Sequence, residues 1–197
     1  MKIFDCTLYY DEDLILETRL NILEKHIHKF VICESTFTHS GKEKKLNFNI
    51  NKFSNFKNKI IYLVNDSEPN NIIYDQNNKE APDQMRPNAM KRIANQREFL
   101  LNGLQEANNN DLILYSDNDE IPNPESLNEN LLKQKISIFE QKLFYYKFNL
   151  LYENLLWYGT RACRKKDLPG FETLRLIKPK KYPFYRVDTI FKRNKYT

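Results

Sequence analysis

A chain of 197 residues, 41% of them hydrophobic and only 4 of them Gly, is long enough for one domain with a core of its own, and it excludes collagen-like and linker-like readings. Three widely spaced cysteines, Cys6, Cys33 and Cys163, with no Cys-x-x-Cys pair, argue against a disulfide framework or a zinc site and for free thiols in a reducing cytoplasm. The net charge of +5 is uneven: residues 161–197 hold 12 Lys/Arg against 3 Asp/Glu, a net of +9, which leaves −4 for residues 1–160, so the basic end suits an anionic partner or a solvated basic face.

Residues 2–9, rich in Ile, Phe, Leu and Tyr, predict a first strand. Asp11-Glu12-Asp13 suits a helix N-terminus, and Leu16, Leu20, Leu23 and Ile27 recur at helical spacing, which predicts a helix over about 12–28. Phe30 to Cys33 predicts a second strand ending at Glu34, residues 35–58 a polar, irregular stretch with a short helix near 49–55, and Lys59 to Val64 a third strand. Residues 65–87, with Pro69, Pro82 and Pro87, predict a long loop of the kind that is usually functional or mobile. A helix follows over about 88–107, with Gly103 inside it at some cost in helix stability. Residues 111–115 predict a fourth strand, then a helix at about 124–134 and β segments near 137–150 and 154–163. The last thirty residues show no clear periodicity. Strand–helix–strand alternation predicts an α/β fold with a mostly parallel, doubly wound sheet, extra β segments in the C-terminal third, and one domain over 1–197.

The most informative stretch is 111–124. Its apolar run ends abruptly in Asp117, Asp119 and Glu120, and Pro122 and Pro124 then stop regular structure. Ligands of open α/β sheets bind beyond the carboxyl ends of the strands, so the spacing puts an Asp-x-Asp where such folds hold a cation or a phosphate. Paired carboxylates supply the oxygen-rich, partly hydrated shell that Mg²⁺ and Mn²⁺ favour. The same residues also suit an acidic turn that caps the next helix.

Other chemistries lack support. There is no Gly-x-Gly-x-x-Gly and no Walker A loop, and no Ser sits in a nucleophile elbow. His26, His28 and His39 form no metal-ligand pattern with nearby acids. No apolar stretch approaches the roughly 20 residues of a membrane span, and the N-terminus enters a strand without a signal-peptide core. The expected location is the cytoplasm, with peripheral contact at an anionic inner membrane as a role for the basic end.

Several segments, in order, resemble glycosyltransferase family 17. Lys2-Ile3-Phe4-Asp5-Cys6 followed by Asp13 to Leu20 resembles its opening strand and helix. Phe30 to Thr38 with Gly41-Lys42 resembles its second strand and Thr-Phe-x-x-x-Gly loop. Gln96-Arg97 with Gly103-Leu104 resembles its central helix, Ser116-Asp117-Asn118-Asp119-Glu120-Ile121-Pro122 its most recognisable motif, and Trp157-x-Gly159-Thr160 a later segment. The resemblance covers about residues 2–165. A Gly-Gly-Trp-His-Phe-like segment usual further on in the family has no counterpart here, so part of the acceptor side is expected to be missing.

The resemblance implies a GT-A-like fold, a nucleotide-sugar donor (UDP-N-acetylglucosamine in the best-known member) and transfer with inversion to a hydroxyl of a glycan or glycolipid acceptor. It implies a donor half over 1–120 and an acceptor half over 121–197. Asp117 and Asp119 are the expected ligands of Mn²⁺ or Mg²⁺. Glu34, Thr36, Lys42, Arg97 and Asp117 are the expected donor contacts, and Asp119 and Glu120 the catalytic residues. Glu120 could equally hold the loop, with Glu153, Glu172, Asp188 or a residue of the absent segment as the base. Arg97 could equally pair with Glu17 or a carbonyl at the core edge, and Trp157, Tyr145 and Tyr146 could stack on a sugar or pack in the core. The rivals are a metal-dependent nucleotidyltransferase, which would turn over a nucleoside triphosphate without a sugar acceptor, a relative that binds UDP without transferring, and a basic nucleic-acid-binding module. The last gives the Asp-x-Asp no role, and no nucleic-acid partner is expected.

Overall fold

The computed structural model describes residues 1–179 except Asn78 and Phe148. It contains one six-stranded sheet: β1 (Ile3–Tyr9), β2 (Lys29–Ser35), β3 (Ile60–Asn65), β4 (Leu112–Tyr115), β5 (Ile136–Gln141) and β6 (Trp157–Arg164). The strand order is β3-β2-β1-β4-β6-β5. The first four strands are parallel, and β6 runs antiparallel to both β4 and β5. The expected mixed, mostly parallel α/β sheet is present, with its extra β segments in the C-terminal third.

Side chains alternate between the faces of a strand, and both faces here are covered. On one face Ile3, Phe30, Ile32, Leu112 and Leu114 meet Leu16, Leu20 and Leu23 of helix α1 (Asp13–Leu23), Ile27 beyond its end, and Phe53 and Phe56 of the 3-10 segment Ile50–Phe56. On the other face Phe4, Cys6, Val31, Cys33, Ile113, Tyr115 and Cys163 meet Leu100, Leu104 and Ala107, and Phe171 and Leu174 of helix α3 (Phe171–Leu176). The three cysteines are thus free and buried, as small core residues.

Several boundaries differ from expectation. Helix α1 stops at Leu23, yet Ile27 stays buried because the following turn carries it back under the sheet. Helix α2 (Pro82–Phe99) begins six residues earlier than expected. Pro82 takes the first turn, where a missing N–H costs nothing, and Pro87 lies inside the helix. Gly103 is not within a long helix but ends a 3-10 turn, Leu100–Gly103. A Cβ there would overlap Val31 Cγ1, so glycine is required by the approach of this turn to β2. The helix expected at 124–134 is two separate 3-10 turns, Pro124–Ser126 and Glu129–Lys133. The β segment expected near 137–150 ends as a strand at Gln141, and the last thirty residues, which show no clear periodicity, contain α3. The loop over 66–81 is tied down by Arg92, which pairs with Glu68 and Glu80, and by Asn88, which exchanges hydrogen bonds with the backbone of Ile73. Among the described residues no helix is long and apolar enough to cross a membrane.

Candidate functional site

The chain builds outward from β1 through β2 to β3, then crosses back to place β4 on the other side of β1. Ligands of open α/β sheets bind at such a reversal, past the carboxyl ends of the strands. A cleft of about 590 Å³ lies there; its lining includes Leu8 to Tyr10 at the end of β1, Glu12, Ser35 at the end of β2, Phe37 and His39 beyond it, Lys44, Arg97 of α2, and Asp117, Asn118 and Asp119 after β4.

The loop after β4 is held from beneath. Arg19 belongs to the buried stripe of α1 and is fully buried. Its guanidinium grips Asp5 of β1 through Nε and one terminal nitrogen, at 2.7 and 2.6 Å. The same terminal nitrogen donates to Ser116 Oγ at 2.6 Å. The other donates to the backbone carbonyls of Asp117, Asn118 and Glu120 at 3.2–3.3 Å. Burial opposes the charge on Arg19, but Asp5 beside it raises its pKa above the ordinary value. Three carbonyls turned onto one guanidinium fix the path of the Asp-x-Asp backbone.

Glu120 holds the loop from the side. It is buried, and it accepts the Asp117 N–H at 3.0 Å, the Trp157 indole N–H at 2.8 Å and Arg175 at 2.8 and 3.0 Å. Gly159 lets β6 come this close, since a Cβ would crowd Glu120. Arg175, on α3, also reaches the Asp117 carboxylate at 2.6 Å, while Arg97 lies 4.0 Å from it. Burial raises the Asp117 pKa; Arg175 opposes that shift and Glu120 adds to it. Among the described residues Arg97 pairs with neither Glu17 nor a carbonyl: it donates to the Tyr115 hydroxyl at 2.8 Å and to Glu172 at 2.7 Å. Asp119 is exposed at the cleft.

The predicted donor contacts fall at different depths. Arg97 and Asp117 line the cleft; Glu34, Thr36 and Lys42 are not among its lining residues. Glu34 is fully buried and organises the loop above it, accepting from the Lys44 ammonium, the Asn47 and Phe48 N–H groups at 2.8 and 3.1 Å and the Tyr62 hydroxyl at 2.8 Å. Thr36 exchanges backbone hydrogen bonds with Asn65 and Lys44. Lys42 is exposed, and its backbone closes a turn against Thr38. The lysine that reaches the cleft is Lys44, its ammonium 5.1 Å from the Tyr10 ring centre. Of the other acids considered, Glu153 is exposed, Glu172 is paired with Arg97, and Asp188 lies outside the described residues. Trp157 is anchored through its indole N–H and partly exposed, and Tyr145 and Tyr146 are exposed rather than packed in the core.

Sequence reasoning missed Arg19, Lys44 and Arg175. Arg19 left a signal: a charge inside the apolar stripe formed by Leu16, Leu20 and Leu23, matched by Asp5 inside an apolar strand. Buried charges are nearly always paired. Arg175 left none, because it meets Asp117 only through the packing of α3.

Among the described residues no cluster of three or more His, Cys, Asp or Glu could hold a metal ion by itself. Asp117 and Asp119 offer oxygen donors on the cleft, whose lining also includes Glu12 and His39. Oxygen donors suit Mg²⁺ or Mn²⁺, which are bound through one or two carboxylates together with waters and substrate phosphates. Arg175 competes for one of the two carboxylates.

The sequence model of glycosyltransferase family 17 matches residues 1–166, which takes in the sheet, α1, α2 and the Asp-x-Asp loop but not α3 with Glu172 and Arg175. No curated protein matches the chain significantly.

Proposed function

Because the chain belongs to glycosyltransferase family 17, and is a glycosyltransferase on that ground, we propose that the cleft beside β1 and β4 binds the diphosphate of a nucleotide-sugar donor, UDP-N-acetylglucosamine as the resemblance implies. The observation that carries this reading is the convergence, beyond the carboxyl ends of β1 and β4, of Arg97 and Lys44 with Asp117 and Asp119, whose loop is fixed by Arg19. The mostly parallel sheet, with this loop at the carboxyl end of its central strand β4, supports the GT-A-like arrangement. Residues 1–120 supply most of the donor side, and α3 brings Arg175 to it from the acceptor half.

Among the described residues that line the cleft, Arg97 and Lys44 offer cations to a diphosphate, and each is oriented by a carboxylate, Glu172 and Glu34 respectively. Asp119, with Asp117, would hold Mn²⁺ or Mg²⁺, and the bound cation would offset charge on the departing diphosphate. In the inverting reaction an acceptor hydroxyl of a glycan or glycolipid attacks the anomeric carbon. The bond from that carbon to the diphosphate breaks, and the hydroxyl proton passes to a carboxylate. Glu120, with both oxygens engaged by Arg175 and Trp157, is suited to keeping Asp117 in place. The basic residues of 180–197 lie outside the described residues, and a contact between them and an anionic membrane surface at which a glycolipid acceptor resides belongs to the same proposal.

Calorimetric titration with UDP and UDP-N-acetylglucosamine, with and without Mn²⁺, tests the reading together with a transfer assay. Asp119→Ala should abolish the Mn²⁺-dependent part of binding and lower transfer by about 10²–10³-fold, the scale of losing one charge-stabilising group at a reacting centre. Binding and transfer indifferent to both Mn²⁺ and Asp119→Ala would overturn the metal assignment. Turnover of a nucleoside triphosphate without a sugar acceptor would point to nucleotidyl transfer instead.

A further inference from the structure

Between β5 and β6 the chain leaves the sheet and turns back on itself over residues 143–152. The Tyr145 N–H donates to the Leu150 carbonyl at 2.9 Å, the Tyr152 N–H donates to the Leu143 carbonyl at 2.8 Å, and Phe144 bridges to Leu151. The surface of this small hairpin is strongly apolar: Phe144, Tyr145, Tyr146, Leu150, Leu151 and Tyr152 are each 40–90% exposed. Successive side chains of an extended arm point to opposite faces, so three exposed in a row on each arm leave both faces bare. A two-stranded hairpin standing alone in water is marginally stable at best, and a contiguous exposed apolar patch marks an interaction site. Lys142 at the root and Lys147 at the tip are exposed, and among the described residues no carboxylate pairs with either. Residues 141–152 carry no acid; Glu140 and Glu153 bracket them.

We infer that this hairpin docks the protein on a membrane, seated in the interfacial layer of a bilayer that carries anionic headgroups. The inference deepens the membrane contact proposed for residues 180–197 by adding an apolar element within the described residues. Three features favour a bilayer over a protein partner. A protein packs on one face of a hairpin, whereas the interfacial layer surrounds both. The cores of protein interfaces are depleted in lysine, whereas Lys142 and Lys147 can meet lipid phosphates while the apolar side chains sit deeper. Tyr and Trp are enriched at headgroup level, and the hairpin presents Tyr145, Tyr146 and Tyr152, with Trp157 beyond its root. An arm of about five residues reaches about 16 Å, more than the roughly 5–10 Å depth of an interfacial element. The hairpin is also tied to the cleft. Trp157 opens β6 and gives its indole N–H to Glu120 at 2.8 Å, and Glu120 accepts the Asp117 N–H. A bilayer met by the hairpin is thereby brought toward the Asp-x-Asp loop, where a hydroxyl carried on a lipid headgroup could serve as acceptor.

The test sediments the full chain with vesicles of phosphatidylcholine alone or mixed equally with phosphatidylglycerol. It compares the wild type with Leu150→Ser/Leu151→Ser, which removes one apolar side chain from each face. The wild type should bind the anionic vesicles, and the double variant should bind them about 10²-fold more weakly, about tenfold for each large side chain left in water. Lys142→Gln/Lys147→Gln should lose about fivefold per lysine on the anionic vesicles. Both variants should keep the wild-type melting temperature and the wild-type affinity for UDP, since the altered side chains are exposed and do not line the cleft. Vesicle binding that the leucine variant retains in full would overturn the inference and leave the contact to residues 180–197; a wild-type protein that ignores vesicles would overturn it as well. Vesicle binding without UDP binding would count against the nucleotide-sugar reading alone. Amide hydrogen exchange separates the other occupants. At low protein concentration without lipid, the amides of 143–152 should exchange fast, and anionic vesicles should slow them. Slow exchange without lipid would show that the rest of the chain covers the hairpin, and slowing that grows with protein concentration would show a second copy on it. Either result overturns the inference.

Discussion

Arg19 and Asp5 carry the strongest single-residue prediction. Breaking a buried ion pair by removing one partner leaves an uncompensated charge, at about 3–5 kcal/mol. Arg19→Ala should therefore unfold in urea at a much lower midpoint than the wild type. Replacing both partners at once, as in Arg19→Met with Asp5→Leu, should recover much of that stability, since an apolar pair avoids the desolvation cost. Transfer activity should not return with it, because the carbonyls of Asp117, Asn118 and Glu120 would lose their common donor. Recovery of both would show that Arg19 serves folding only. Arg175 permits a pH test. Burial raises the Asp117 pKa and Arg175 lowers it, so Arg175→Gln should raise it further. If Asp117 must be ionised to bind a cation, the acid limb of kcat/KM should move to higher pH in that variant; an unmoved limb would separate Asp117 from the rate.

At the scale of elements, periodicity revealed the segments and packing set their ends. Leu16, Leu20, Leu23 and Ile27 made α1 visible, and all four are buried, but nothing local required the helix to stop at Leu23. The early start of α2 was hidden by Pro82 and Pro87, which read as loop residues until Pro82 is seen to occupy the first turn. Gly103 shows the same limit. It looked like a weak point in a long helix, whereas contact with Val31 on β2 is what requires it. Gly103→Ala should lower stability by about 1–3 kcal/mol through overpacking, read as a drop in melting temperature. A helix-propensity effect alone would instead favour alanine.

For the whole molecule, the two covered faces of the sheet govern its thiol chemistry. Burial pushes the Cys33 and Cys163 thiols up to about 12, and the Cys6 thiol well above its ordinary range. An aromatic disulfide reagent at neutral pH should leave all three unreacted in the folded protein and titrate them in urea. The linkage runs in one direction: the unfolded chain ionises Cys33 and Cys163 from about pH 9, and the folded chain holds them neutral to about pH 12. Their contribution to stability is complete below pH 9 and falls as pH rises through that window. Urea midpoints measured from pH 7 to 11 should show the decline.

By itself the sequence determined the class of fold, the four parallel strands and the position of the Asp-x-Asp at the end of β4. These are written in local patterns: apolar runs, helical spacing, and the acids and prolines that end a strand. Only the tertiary structure decided which side chains meet around that loop. Glu34 and Lys42 fit the pattern of donor contacts, yet one is buried beneath the cleft and the other exposed on a turn, while Lys44 reaches the cleft. Arg19 is 98 residues from Asp117 and Arg175 is 58 residues from it. Pairings of that separation depend on strand order and on how α1 and α3 pack, and no local periodicity records them.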